Sequence, residues 1–125
     1  MARAEVSGPP ARAVAGARAE ALAAEFLAAR GLRIVKRNFR IRRGEIDLIA
    51  RDGATLVFVE VRLRRHQSFG GAAASITRAK SARMTAAAQA YIATLGTLPP
   101  CRFDAVLLDG LDPSRITWER DILSE

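Results

Sequence analysis

The chain has 125 residues, which at about 100–200 residues per domain is one domain and excludes a multidomain machine. Apolar residues make up 50% and charged residues 26%, so a packed core can form and disorder throughout is excluded. Twenty basic residues against thirteen acidic leave a net charge of +7, an excess that attracts polyanions, nucleic acid foremost. Eighteen of the twenty basic residues are arginine; Lys36 and Lys80 are the two lysines.

Residues 1–11, with Gly8-Pro9-Pro10, read as a flexible leader ahead of one domain over 12–125. Arg12 to Arg30 is Ala-rich and favours helix. Leu22 and Phe26 stand one turn apart, Ala19, Ala23 and Leu27 widen their stripe, and Glu20 lies at its edge. Gly31 is a natural stop. From Leu32 the chain reads as a strand to about Ile41. Glu45 to Ala50 alternates with the period of a half-buried strand. Asp52-Gly53 signals a tight turn, and Thr55 to Leu63 follows as a β-rich run. Residues 65–74 form a loop through Phe69-Gly70-Gly71, with Ser75 as helix N-cap. Ile76 to Leu95 reads helical and ends at Gly96 and Pro99-Pro100. Phe103 to Leu108 and Ile116 to Ile122 are the last strands. The order is α-β-β-β-α-β-β. It predicts an α/β fold, a mixed β-sheet flanked by helices, with the fourth strand parallel to the third or its neighbour.

Cys101 and His66 are each alone. A disulfide framework and a zinc site built from cysteine and histidine are excluded within one chain. Any metal would be held by carboxylates, which favours magnesium or manganese. No apolar run reaches the ~20 residues that span a bilayer, and no secretory or transit segment is recognisable. No membrane association and a cytoplasmic location are therefore expected.

The hairpin carries the chemistry. With Asp52-Gly53 as a two-residue turn, Asp47 faces Phe58 and Glu45 faces Glu60. Glu45, Asp47, Phe58, Glu60, Arg62 and Arg64 then share one side; Ile46, Leu48, Ala50, Val57, Val59, Val61 and Leu63 form the core side. Asp47 and Glu60 become diagonal neighbours, close enough to bracket one ion. Opposed Glu45 and Glu60 are unfavourable like charges. A divalent cation would remove that penalty; Arg62 and Arg64 could offset it with no metal at all. A solvated face of mixed charges is the plain alternative.

Asn38-Phe39-Arg40, Gly44-Glu45-Ile46-Asp47-Leu48-Ile49-Ala50 and Val57-Phe58-Val59-Glu60-Val61-Arg62-Leu63-Arg64 resemble the YraN-like family of small bacterial proteins. Gly16, Glu20 and Ala21 on the first helix, Phe69-Gly70, Lys80, and Arg102-Phe103-Asp104 carry further resemblance, which runs over about residues 16–122. The family is similar to restriction-endonuclease-like nucleases, including Holliday junction resolvases. That resemblance implies a helix, a β-meander, a helix and further strands. It also implies a site built from an acidic residue on the second strand, then Glu-x-Lys on the third, often with a helix Glu. Asp47 takes the first role, Glu60 the second and Glu20 the helix position; Arg62 stands where the family usually has lysine, and Glu45, on the hairpin itself, is a further helper candidate beside Glu20. Asp47 and Glu60 would hold Mg2+ or Mn2+, with the Val61 carbonyl as a further ligand. Arginine can supply charge and a fork to phosphate but cannot act as a base.

Two function classes follow. One is a metal-dependent endonuclease, or nuclease-like DNA-binding protein, acting on structured DNA. The other is a non-catalytic nucleic-acid-binding or adaptor module on a nuclease fold, which Arg62 favours. Arg40, Arg42, Arg43, Arg64, Arg65 and Lys80 are the nucleic-acid-binding candidates, with sequence-neutral phosphate contacts expected. Lys80 and Arg83 also read as exposed helix charges. His66 reads as a loop residue, and Trp118, Tyr91 and Cys101 as packing residues. A symmetric two-strand cut would require a homodimer, since one chain supplies one site.

Overall fold

A computed structural model describes residues 11–64 and 78–123 of the chain. The elements are α1 (Ala11–Ala29), β1 (Arg33–Ile41), β2 (Gly44–Asp52), β3 (Thr55–Arg64), α2 (Arg78–Ala93), β4 (Cys101–Asp109) and β5 (Ile116–Glu119). They follow in the α-β-β-β-α-β-β order expected. Residues 1–10 of the expected leader, the loop after β3 and Ser75 lie outside the described residues, and Ala11 opens α1. No helix among the described residues is long and apolar enough to cross a membrane.

The α1 helix ends by a mechanism visible in its sequence. Gly31 adopts φ 97°, and Leu32 N donates to Leu27 O at 3.1 Å while Gly31 N donates to Ala28 O at 3.1 Å. This is the paired closure that a left-handed residue permits after a helix, and glycine meets no steric penalty there. It turns the chain directly into β1.

The five strands form one sheet in the order β1-β2-β3-β4-β5. β1, β2 and β3 are an antiparallel meander. β4 runs parallel to β3 after the crossover through α2, and β5 is antiparallel to β4. The two helices cover opposite faces. Ala19, Ala23, Ala24 and Leu27 of α1 pack on Leu48, Ala50, Val57, Val59, Val106 and Leu108. Ala87 and Ala88 of α2 pack on Ile46, Ile49, Leu56 and Phe58. The alanines let each helix lie close to the sheet, and the area they do not bury is supplied by strand residues.

Four expectations are corrected. The hairpin turn is Gly53-Ala54, because Asp52 pairs with Thr55 and Leu48 with Val59. Glu45 therefore does not face Glu60; its strand partner is Arg40 of β1. The charged face is not a solvated one: Phe58 is fully buried on it, beneath α2. Ile46 does not share the face of Leu48 and Ala50 but packs with the α2 layer. The change of face lies level with a left-handed residue of β1, Asn38, at φ 54°. Asn38 falls between Arg37 and Phe39, which pair with Leu48 and Ile46, so the left-handed residue stands level with Asp47. The side-chain alternation of β2 changes phase there.

Asp104 is fully buried, and its charge is satisfied. Arg102 Nε donates to both its oxygens at 3.1 and 3.2 Å, Trp118 Nε1 donates at 2.9 Å, and Asp121 N donates at 2.9 Å. This carboxylate fastens the end of β5 to β4, a structural task. Trp118 also meets Phe26 edge-on, and Tyr91 meets Phe39 and Phe58, so both aromatics pack as expected. Cys101 does not: it is exposed at the start of β4.

Candidate metal and phosphate site

The site lies where the meander opens. β2 pairs with β3 from Asp52 back to Leu48, and the ladder stops there. One residue further, Asp47 substitutes its side chain for a backbone acceptor: Val61 N donates to Asp47 Oδ2 at 2.8 Å. The opening lets a carboxyl group enter between two strands, and the Val61 N–H holds it there.

Glu60 precedes Val61 on β3 and is 4% exposed. Burial, then the negative charge of Glu60, push the Asp47 carboxyl up to about 7, against the pull of the Val61 N–H. Asp47 therefore keeps its proton to higher pH, and a cation bound at its oxygens would take that proton's place. Glu20, from α1, adds to the same field. Its own carboxyl is raised by burial, opposed by a hydrogen bond with Asn38 and by the charge of Arg40. Asn38 thus bears on the site through Glu20, and its backbone is left-handed level with Asp47. Its conformation was not legible from spacing, although asparagine is one of the few residues that tolerate left-handed φ.

Glu60 has two cationic neighbours. Lys80 Nζ of α2 contacts Glu60 Oε2, and Arg62 Nη1 lies 3.6 Å from the same oxygen. Lys80 is not simply an exposed helix charge; its ammonium reaches down to the sheet. Glu45, Glu60, Lys80, Arg83 and Met84 line a pocket of about 80 Å3. Glu45 sits at its outer side, 3.7 Å from Arg40 Nε. Gly44 fixes the distance between α2 and β2: a Cβ there would meet Arg83 O at 2.0 Å. Only glycine lets the helix backbone lie that close, so Gly44 sets where Lys80 can reach.

The fold gathers Asp47, Glu60, Arg62, Lys80 and, from the other face, Glu20. Arg42 and Arg43 stand in the β1–β2 turn, where they join Ile41, Ala86, Gln89 and Ala90 around an open groove of about 390 Å3. Arg64 is half-buried at the end of β3. Arg65 and His66 lie outside the described residues.

The donor set suits a hard divalent cation. Two adjacent carboxylates, one buried and one held against its own ionisation, match the one or two protein carboxylates with which magnesium is usually bound. Among the described residues, no group of three or more His, Cys, Asp or Glu side chains converges as a complete cage. Water and substrate oxygens would complete the shell.

The chain is similar to a UPF0102 protein of Nitrosospira multiformis, at 53% identity over 85% of this chain and 89% of that one. A UPF0102 protein of Ralstonia nicotianae is 52% identical, over 90% of this chain and 88% of its own. A third, from Cupriavidus taiwanensis, is 54% identical, over 87% of this chain and 82% of its own. The family profile matches residues 19–108, a span holding Glu20, Asp47, Glu60, Arg62 and Lys80. The chain belongs to the uncharacterised protein family UPF0102, the YraN family.

Proposed function

We propose that this protein is a metal-dependent endonuclease acting on structured DNA. The observation that carries the reading is the Asp47–Glu60 pair. Two carboxyl groups share a half-buried opening in the sheet, and the first is held near neutrality by its surroundings. Packing alone does not call for such a pair: burying carboxyl groups is costly even though Lys80 and Arg62 stand beside Glu60 and Val61 N–H holds Asp47. A cation-binding task explains it. Bound there, Mg2+ or Mn2+ would lower the pKa of a water and stabilise charge on the phosphoryl group. Asp47 and Glu60 would hold the ion. Val61 N–H fixes the orientation of the Asp47 carboxyl, and Arg62 offers its planar fork to a phosphate oxygen. The basic turn and groove supply backbone contacts that are neutral to sequence. Preference for branched DNA rests on the likeness to resolvases alone.

A second reading, a non-catalytic nucleic-acid-binding or adaptor module, is favoured by Arg62 in the place of lysine. Cleavage assays with Mg2+, then Mn2+, on duplex, single-stranded and four-way-junction DNA separate the two. Asp47→Asn is the control for contaminating nuclease. Metal-dependent cleavage lost in that variant supports the endonuclease. Absence of cleavage, with salt-sensitive DNA binding that Asp47→Asn leaves intact, supports the binding module.

A further inference from the structure

We infer that Lys80, delivered from α2, is the catalytic cation that holds the attacking water, and that Arg62 clamps the phosphate; this rests on the endonuclease reading above. Glu60 Oε2 is approached from two sides, by the Lys80 ammonium and by the Arg62 guanidinium. The two cations differ in shape and origin. Arg62 lies two residues along the same strand and presents a flat fork matched to two phosphate oxygens. Lys80 presents a compact ammonium with three donors, suited to one small oxygen nucleophile. Lys36, the other lysine, is exposed on β1, so Lys80 is the ammonium this site has.

Three features make Lys80 more than a surface charge. Its helix is docked at a distance that Gly44 alone permits. Its side chain lines the 80 Å3 pocket together with Glu45 and Glu60. That pocket has room for water but not for a base or sugar. In the step proposed, a water oxygen forms the new bond to phosphorus. Its proton passes to solvent, the bond from phosphorus to the leaving sugar oxygen breaks, and that oxygen takes a proton from solvent. Lys80 neither gives nor takes a proton in the step. It orients the incoming oxygen and offsets the charge that builds on the phosphoryl group.

The test compares full-length wild type, Lys80→Met, Lys80→Arg, Arg62→Met and Asp47→Asn. Single-turnover cleavage, affinity for DNA without metal, Mn2+ affinity by calorimetry and melting temperature are measured on each. Lys80→Met should lose about 100-fold or more in cleavage rate, far more than it loses in DNA affinity, while keeping its fold. It should bind Mn2+ at least as tightly as wild type, because the ammonium no longer competes for Glu60. A helix tether of purely structural value would instead weaken Mn2+ binding and lower the melting temperature. Lys80→Arg keeps the charge and the tether but should not restore the rate. Arg62→Met should weaken DNA binding more than it slows the chemistry. Cleavage by Lys80→Met at the wild-type rate, with Asp47→Asn dead, overturns the role of Lys80 and leaves the endonuclease standing. Absence of both cleavage and Mn2+ binding in wild type overturns the endonuclease itself.

Discussion

Asp47 concentrates the behaviour of the site in one titratable group. Its carboxyl has an ordinary value of 3.8 and is pushed to about 7 in the fold, by burial first and by Glu60 second. Between those values the folded protein retains a proton that the unfolded chain has released. The associated stability is fully present below the lower value and is lost as pH rises through about 7. The metal-free protein should therefore melt at a lower temperature at about pH 8 than at about pH 5, and Asp47→Asn should flatten that slope. Mg2+ should recover more stability at the higher pH, where it no longer competes with the proton for the same oxygens. Thermal scans across pH, with and without metal, check both statements. An identical slope in wild type and Asp47→Asn would remove Asp47 as its source. The pairing of Asp47 with Glu60 was half legible in the sequence. Period-two alternation puts both on one side, but Asp52-Gly53 proposes the wrong turn, since Gly53-Ala54 closes the hairpin.

At the scale of elements, the distance between α2 and the meander decides whether a site forms. Gly44 lies under the Arg83 backbone, where a methyl group would meet the carbonyl oxygen and carbon at 2.0 and 2.7 Å. Backbone cannot yield as a flexible side chain can, so Gly44→Ala should cost about 1–3 kcal/mol and loosen α2. Gly16 is the counterpart: a Cβ there meets nothing within 4 Å, and Gly16→Ala should stabilise α1 by about 0.5–1 kcal/mol. Urea unfolding of the two variants measures both signs, and destabilisation by Gly16→Ala would refute the open surroundings assigned to it. Element order was legible because the periods of strand and helix differ sharply along this chain. The docking of α2 was not. Its alanines carry little pattern, and the contact of Lys80 with Glu60 joins residues twenty apart through a close approach that composition does not encode. The change of face between Ile46 and Leu48 was hidden for a related reason. It coincides with Asn38 on a neighbouring strand, and no local pattern in β2 reports it.

Over the whole molecule, the +7 charge is unevenly spread. Arg33, Lys36, Arg37 and Arg40 on β1, with Arg42 and Arg43 in its turn, are all exposed. β1 is also an edge of the sheet, and cations on an edge strand discourage pairing with another chain. Protection of an edge and attraction of DNA are therefore competing explanations for the same residues. They separate under salt. If the turn and the groove beside α2 receive phosphates, affinity for DNA should fall steeply with salt, and duplexes of different sequence should fall together. Replacing Arg42 and Arg43 by alanine should weaken binding and reduce the log–log salt slope by about 2, one unit for each phosphate left without its arginine. Asp47→Asn should leave that slope unchanged, since it removes no cation. Fluorescence anisotropy over a salt series gives the slopes, and sedimentation of the same samples reports association. An unchanged slope in the double variant, together with new self-association, would assign these arginines to the edge and move the phosphate contacts elsewhere on the basic surface.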